Sequence, residues 1–389
     1  MHRNSPMAFP ISVYISTIAF LLLSLHPTDA TIGVCYGRKG NNLPCAQHVV
    51  NLYKSNQIGA MRLYDPDHPT LKALQGTNIK LMLGVRNEDI VCIASDQSAA
   101  DDWVETNVVP YATSIKYIAV GNEIHPSDEQ ASSMEPAMQN ILNALNANNL
   151  GSQIMVSTAV DMTLLKNTFP PSHSEFQNLS YITPIINFLT TNDWPLIVNI
   201  QPYTTYINDP KNISLDFLLF TSCGDVFTDD KTGKGYQNLF DALADAMYVA
   251  VEKVATSDQI NLFQNIGRNQ QRSKTQVKGE VSMASKGGFH SMVKSSVWQN
   301  SARYPTKGSE CGQPKSGEAA TVENAKTFYT NMIKHVKKGT PLTPGEEIEV
   351  YLFAMFDENQ KPGNESERHY GLFTPGGKPK YGQLNFCGE

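Results

Sequence analysis

Eight short apolar runs, separated by longer stretches of mixed polarity, set the rhythm of this chain from residue 32 to its end. They are Ile32 to Tyr36, Gly59 to Tyr64, Ile79 to Val85, Ile115 to Gly121, Gln153 to Ala159, Leu196 to Tyr203, Thr275 to Glu280 and Glu349 to Phe356. Runs of this length alternating with amphipathic stretches are repeated βα units, which exclude a sandwich or a helical bundle. Between them, Tyr236 to Val254 places Leu239, Leu243, Met247 and Val251 on one helical face. Ala320 to Val336 does the same with Val322, Ala325, Phe328, Tyr329, Met332, Ile333 and Val336. Such stripes dock on a sheet.

Eight parallel strands leave two arrangements, a closed (β/α)8 TIM barrel or an open doubly wound sheet. Polar, chemically capable residues recur where the strands run out: Tyr36, Arg62, Asn122, Glu123, Tyr203, Glu280, Asp357 and Glu358. Side chains from so many strand ends meet only if the sheet closes, so the expected fold is a single (β/α)8 barrel with its site at the carboxyl ends. Ser214 to Gly235 interrupts the rhythm with a turn-rich Asp229-Asp230-Lys231-Thr232-Gly233, expected as a small hairpin-like insertion after strand six. Gly287 to Gly317, rich in Ser, Lys and Gly, is expected as a long loop after strand seven.

Residues 1–30 stand apart. Arg3 precedes an apolar run from Ile11 to Leu25, and Thr28-Asp29-Ala30 offers small residues for a peptidase, so a signal peptide cleaved after Ala30 is expected, with residues 31–389 forming the barrel. Removing it deletes one Arg and one Asp and leaves the formal charge of −6, which gives no footing for nucleic acid. No hydrophobic tail ends the chain, so no membrane association is expected after cleavage. The six cysteines, Cys35, Cys45, Cys92, Cys223, Cys311 and Cys387, permit up to three disulfides in an exported chain, with the pairing open. They form no zinc-ligand spacing, and neither metal nor cofactor is expected. Asn178, Asn212 and Asn364 open Asn-X-Ser sequons and are glycosylation candidates.

Glycoside hydrolysis needs two carboxyl groups across a scissile bond. Glu123, delivered by Tyr117-Ile118-Ala119-Val120-Gly121-Asn122, and Glu280, ending Val277-Lys278-Gly279, occupy equivalent strand-end positions three strands apart. No Gly-rich cradle for phosphate follows the last two strands, which argues against phosphorylated metabolites.

Ile32-Gly33-Val34-Cys35-Tyr36-Gly37, Met61-Arg62-Leu63-Tyr64-Asp65, Gly121-Asn122-Glu123, Gln201-Pro202-Tyr203 and Phe353-Ala354-Met355-Phe356-Asp357-Glu358-Asn359-Gln360-Lys361 resemble the plant glycoside hydrolase family 17. Its best-known members are endo-β-1,3-glucanases. The resemblance runs from Thr31 to Phe386. It implies a retaining mechanism on a (β/α)8 barrel, with linear β-glucan as the partner; the signal segment and the absence of a hydrophobic tail lead to the expectation of a monomer secreted to the cell wall or outside the cell, with the vacuole as the alternative. It further implies Glu123 as general acid/base, Glu280 as nucleophile, Glu358 and Lys361 as a supporting pair, and Asn122 as a contact to the sugar 2-hydroxyl. Tyr36, Tyr203 and Phe356 are expected to offer rings or hydroxyls to sugar, and Arg62 to lie beside Glu280.

The family's Ser-Glu-Ser/Thr-Gly-Trp-Pro becomes Gly279-Glu280-Val281-Ser282-Met283-Ala284 here. Ser282 in place of glycine disfavours a positive φ, and Met283 removes a rigid aromatic wall. A barrel that binds glucan without cutting it is therefore the alternative, and pure β-1,3 against mixed linkage stays open.

Overall fold

The computed structural model describes residues 32–270, 294–297, 319–363 and 365–386. Eight parallel strands close into a barrel: β1 (Ile32–Cys35), β2 (Ala60–Leu63), β3 (Lys80–Val85), β4 (Ile115–Asn122), β5 (Met155–Asp161), β6 (Ile197–Asn199), β7 (Lys294–Val297) and β8 (Val350–Phe353). Each pairs with its neighbours in chain order, and β8 returns to β1 through Ile32 opposite Val350 and Cys35 opposite Phe353. Because helices cover the outer face and side chains fill the inside, the strands are apolar on both faces and lack alternation. Cys35, Ala60, Met82, Tyr117, Ala119, Ala159, Ile197 and Tyr351 fill the interior. The lower end is closed by Glu349, whose carboxylate accepts from the Tyr117 hydroxyl at 3.0 Å, the Tyr351 hydroxyl at 2.9 Å and Lys116 Nζ at 2.9 Å.

Three expectations need correction. Thr275–Glu280 lies outside the described residues, and the wall position between β6 and β8 is held by Lys294–Val297, inside the stretch expected to be a loop. The sequence Lys-Ser-Ser-Val carries almost no apolar signal; backbone pairing on both sides, not side-chain hydropathy, makes it a strand. The sixth strand stops at Asn199 instead of running to Tyr203, since Pro202 has no N–H for a ladder and begins the helix Pro202–Asn208. The expected helices form as Leu239–Gln270 and Val322–His335.

The insertion after β6 is a hairpin, Phe227–Thr228 with Gly235–Tyr236, and a second, Leu165–Lys166 with Glu175–Phe176, follows β5. Asp229 ties them together. Its carboxylate accepts from Ser172 N at 2.9 Å across the gap and from Lys231 N and Thr232 N at 3.0 Å within its own turn. Burial opposes the charge, but these peptide N–H groups outweigh it and hold the carboxyl down at about 2.

Asp245, in the long helix after the hairpin, meets the opposite balance. It accepts from the Tyr236 hydroxyl at 2.9 Å and from Leu342 N at 3.1 Å, yet burial pushes its carboxyl up to about 7. An unfolded aspartate titrates near about 3.9. Between that value and about 7 the folded chain holds a proton the unfolded chain has lost, so this residue's contribution is greatest at the acid end and is lost as pH rises through the window. Asp245→Asn is expected to flatten that part of the melting-temperature profile; an unchanged slope would show that Asp245 does not titrate there.

Candidate active site

The carboxyl ends of the strands surround a cleft of about 680 Å³, lined among others by Tyr36, Tyr64, Asn122, Glu123, Asn199, Gln201, Phe353, Glu358 and Lys361. The backbone that delivers Glu123 is irregular for a reason visible in the pairing. Between Ala119 and Asn122 the register on β5 advances only from Ser157 to Ala159, so β4 carries one extra residue, a bulge. Gly121 takes the kink at φ +71°, and Glu123 follows at φ +55°, in the left-handed region. A glutamate pays steric strain there, and bulges at barrel rims re-aim side chains. Asn87 fixes the kinked segment: its Oδ1 accepts from Asn122 N at 2.8 Å and its Nδ2 donates to Asn122 O at 3.0 Å. Glu123 N is itself tied to Ala159 O at 2.8 Å.

Beneath Glu123 runs a buried polar chain. Arg62, 2 % exposed, donates through Nη1 to Asn199 Oδ1 at 2.9 Å and through Nη2 to Asn122 Oδ1 at 2.7 Å, with its guanidinium 4.5 Å over the Tyr64 ring. Asn199 Nδ2 donates to Asn122 Oδ1 at 3.0 Å and to Glu123 Oε1 at 2.6 Å. Among the described residues Arg62 forms no ion pair with a carboxylate. Lower still, burial pushes the Cys35 thiol up, so the sulfur under this floor stays protonated. Cys35, Cys45, Cys92 and Cys223 are unbridged, while Cys311 and Cys387 lie outside the described residues.

The opposite wall comes from β1 and β8. Glu358 is nearly buried and rests on Gly37, where an added Cβ would lie 2.3 Å from its carboxyl carbon; Lys39 N donates to its Oε1 at 3.1 Å. Gly37 is therefore required by close approach. Lys361 lines the same cleft, but its ion pair is with Glu367 at 2.9 Å, and its ammonium sits 4.8 Å from the Phe353 ring. Burial pushes the Tyr36 hydroxyl up to about 12, leaving a neutral group at the cleft edge.

The structure thus brings Glu123, Asn122, Tyr36, Glu358 and Lys361 to one cleft, with Arg62 as its buried support. Two expected sugar contacts are corrected. Phe356 has no exposed surface and packs between Tyr36 and Phe373, so it cannot stack on a ligand; Phe353 is the ring on that wall. Tyr203 is turned into the core by the helix that Pro202 starts, against Tyr206. Glu280 and Asn364 lie outside the described residues. Asn178 is exposed and caps the helix Leu179–Asn192 through Tyr181 N, and exposed Asn212 donates to Asp209. Sequence reading missed Asn87 and Asn199. The available signal for Asn199 was an amide at the end of Leu196-Ile197-Val198, obscured by taking that run on to Tyr203.

A closed parallel barrel with a strand-end glutamate in a polar, aromatic-edged cleft is the architecture of a glycoside hydrolase. Glycosyl hydrolases family 17 matches residues 32–264 and 307–386, and the chain belongs to that family. It is 45 % identical over 392 aligned residues to a glucan endo-1,3-beta-glucosidase of Vitis vinifera, covering 99 % of this chain and 98 % of the relative. Glucan endo-1,3-beta-glucosidase A of Solanum lycopersicum is 42 % identical, with 98 % of this chain and all of the relative covered (100 %). Among solved structures, a β-1,3-glucanase and allergen of Cryptomeria japonica pollen superposes with a TM-score of 0.73 at 35 % identity, covering 92 % of this chain and 99 % of that one. Residues 265–306, which include Glu280 and β7, fall between the two family-matched stretches.

Proposed function

We propose that this hydrolase cuts β-1,3-glucan internally and with retention, Glu123 acting as acid/base and Glu280 as nucleophile. The observation that carries the reading is Glu123 itself: a strained glutamate on a bulge, its carboxylate held at 2.6 Å by Asn199 on the floor of an open cleft. In the first step Glu123 gives its proton to the glycosidic oxygen as the C1–O bond breaks, the electron pair leaving with that oxygen, while the second carboxylate bonds to C1. In the second step Glu123 takes a proton from water, which displaces the carboxylate. The linkage follows the names carried by the full-length relatives.

Support for a second carboxylate from the segment around β7 comes from Arg62. A buried guanidinium is costly without a counter-charge, and the described residues give it amide oxygens and the Tyr64 ring but no carboxylate. Between residues 271 and 318 the acidic residues are Glu280, Glu310 and Glu318, and of these Glu280 is the one that matches the glutamate of the family's Ser-Glu-Ser/Thr-Gly-Trp-Pro segment, although the residues after it differ. Export of the chain, with removal of residues 1–30, and glycans at the sequons belong to the same reading.

The test is reducing-end release from a soluble β-1,3-glucan by the purified protein, with Glu280→Gly and Glu358→Gly, which leave room for an added anion, followed with and without azide by the fall in polymer size. Recovery by azide only in Glu280→Gly, as shortened chains that end in a glycosyl azide, is expected. Recovery in Glu358→Gly instead would move the nucleophile to the segment after β8, and wild-type binding without hydrolysis would leave only the glucan-binding alternative.

A further inference from the structure

Hydrogen-bond polarity runs one way through the chain of groups below Glu123, and Arg62 sets its direction. A guanidinium only donates. Asn199 must therefore present Oδ1 to Arg62 Nη1 at 2.9 Å, which leaves its Nδ2 pointing at Glu123 Oε1, 2.6 Å away. Asn122 is fixed in the same way: its Oδ1 accepts from both Arg62 Nη2 at 2.7 Å and Asn199 Nδ2 at 3.0 Å. Neither amide can flip without setting a donor against a donor beside a buried charge. Oε1 of Glu123 is thereby engaged as an acceptor.

We propose that Asn199, oriented by Arg62, is the positioning residue that confines the transferable proton of Glu123 to Oε2, the oxygen left to face the glycosidic bond. This rests on the reading of Glu123 as the acid. A proton on Oε1 would confront the Asn199 N–H and lose a 2.6 Å hydrogen bond, so the carboxylic acid takes the other form. The same arrangement leaves Nδ2 as the group that Asn122 can offer a sugar. When Glu123 later accepts a proton from water, it receives it on the same oxygen, so one geometry serves both steps.

A misplaced proton hurts only those substrates whose departing group needs one. The test compares kcat/KM, which reports the bond-breaking half of the cycle, on two substrates: soluble β-1,3-glucan and a β-1,3-gluco-oligosaccharide bearing 2,4-dinitrophenol, which leaves unaided. Asn199→Ala and Asn199→Asp are each expected to lose about 100-fold on the glucan, within the usual range for proton transfer, but under about tenfold on the dinitrophenyl glycoside. The ratio is taken on one preparation of each variant, so a poorly folded fraction cancels. Equal losses on both substrates, or no loss on the glucan, would overturn the proposal by making Asn199 structural or idle. Glu123→Gln, assayed alongside, separates the two readings. If it shows the split and the Asn199 variants do not, only the role of Asn199 falls. If it shows none, the acid role of Glu123 falls and takes this inference with it.

Discussion

Glu123→Gln is expected to reduce reducing-end release from soluble β-1,3-glucan by roughly 10³-fold, the middle of the range for loss of a general acid and base. The substitution keeps the volume and the acceptor oxygen that Asn199 Nδ2 engages, so the floor of the cleft stays intact. Binding of the polymer should change little, because the interaction removed acts in bond breaking and not in the ground state. The prediction is checked by pairing the activity assay with an equilibrium binding measurement on the same polymer. A variant that loses binding and turnover together would show that Glu123 holds sugar and does not transfer protons.

The second large effect concerns stability. Asp357, next to the cleft residue Glu358, accepts from Lys380 Nζ at 2.6 Å and from Gly371 N at 2.8 Å, and Lys380 also donates to His369 O at 2.7 Å. Both side chains of the pair are only 12 % exposed. Burial pulls the Lys380 ammonium below its ordinary range while Asp357 opposes it. Lys380→Met leaves a buried carboxylate without its counter-charge, at a cost of about 3–5 kcal/mol. The melting temperature should fall by roughly 5–10 °C. Lys380→Met combined with Asp357→Leu should recover part of that loss, since replacing both ends of a buried pair costs less than removing one. A single variant that melts with the wild type would mean that water reaches Asp357 and the pair counts for little.

The barrel was legible because seven of its eight strands overlap short, mostly apolar runs of the sequence. Ile115–Asn122 is the clearest, and the observed strand differs from the expected one by a single residue at its end. Lys294–Val297 was not legible, since a strand held by two neighbours needs no hydropathy of its own. The hairpin after β6 could be seen in Asp229 and Gly233, whereas the one after β5 has strands of only two residues each. At the site, the residues projecting from strand ends were readable, but the groups that aim them were not. Asn87 sits in a short 3₁₀ turn and reaches Asn122 across 35 residues, a relation no local pattern encodes. Tyr203 and Phe356 misled because an aromatic near a strand end looks the same whether it faces the cleft or the core.

The pairing of Ile32 with Val350 has a consequence for how such a molecule is made. β1 acquires its second neighbour only once synthesis has passed Val350, long after β1 itself was made, and Glu358 finds its seat against Gly37 at the same late moment. Until then the nascent chain carries an open, apolar edge, the kind of surface that recruits chaperones or another copy. Chains ending before Val350 should accumulate as aggregates and not as shortened, partly working barrels.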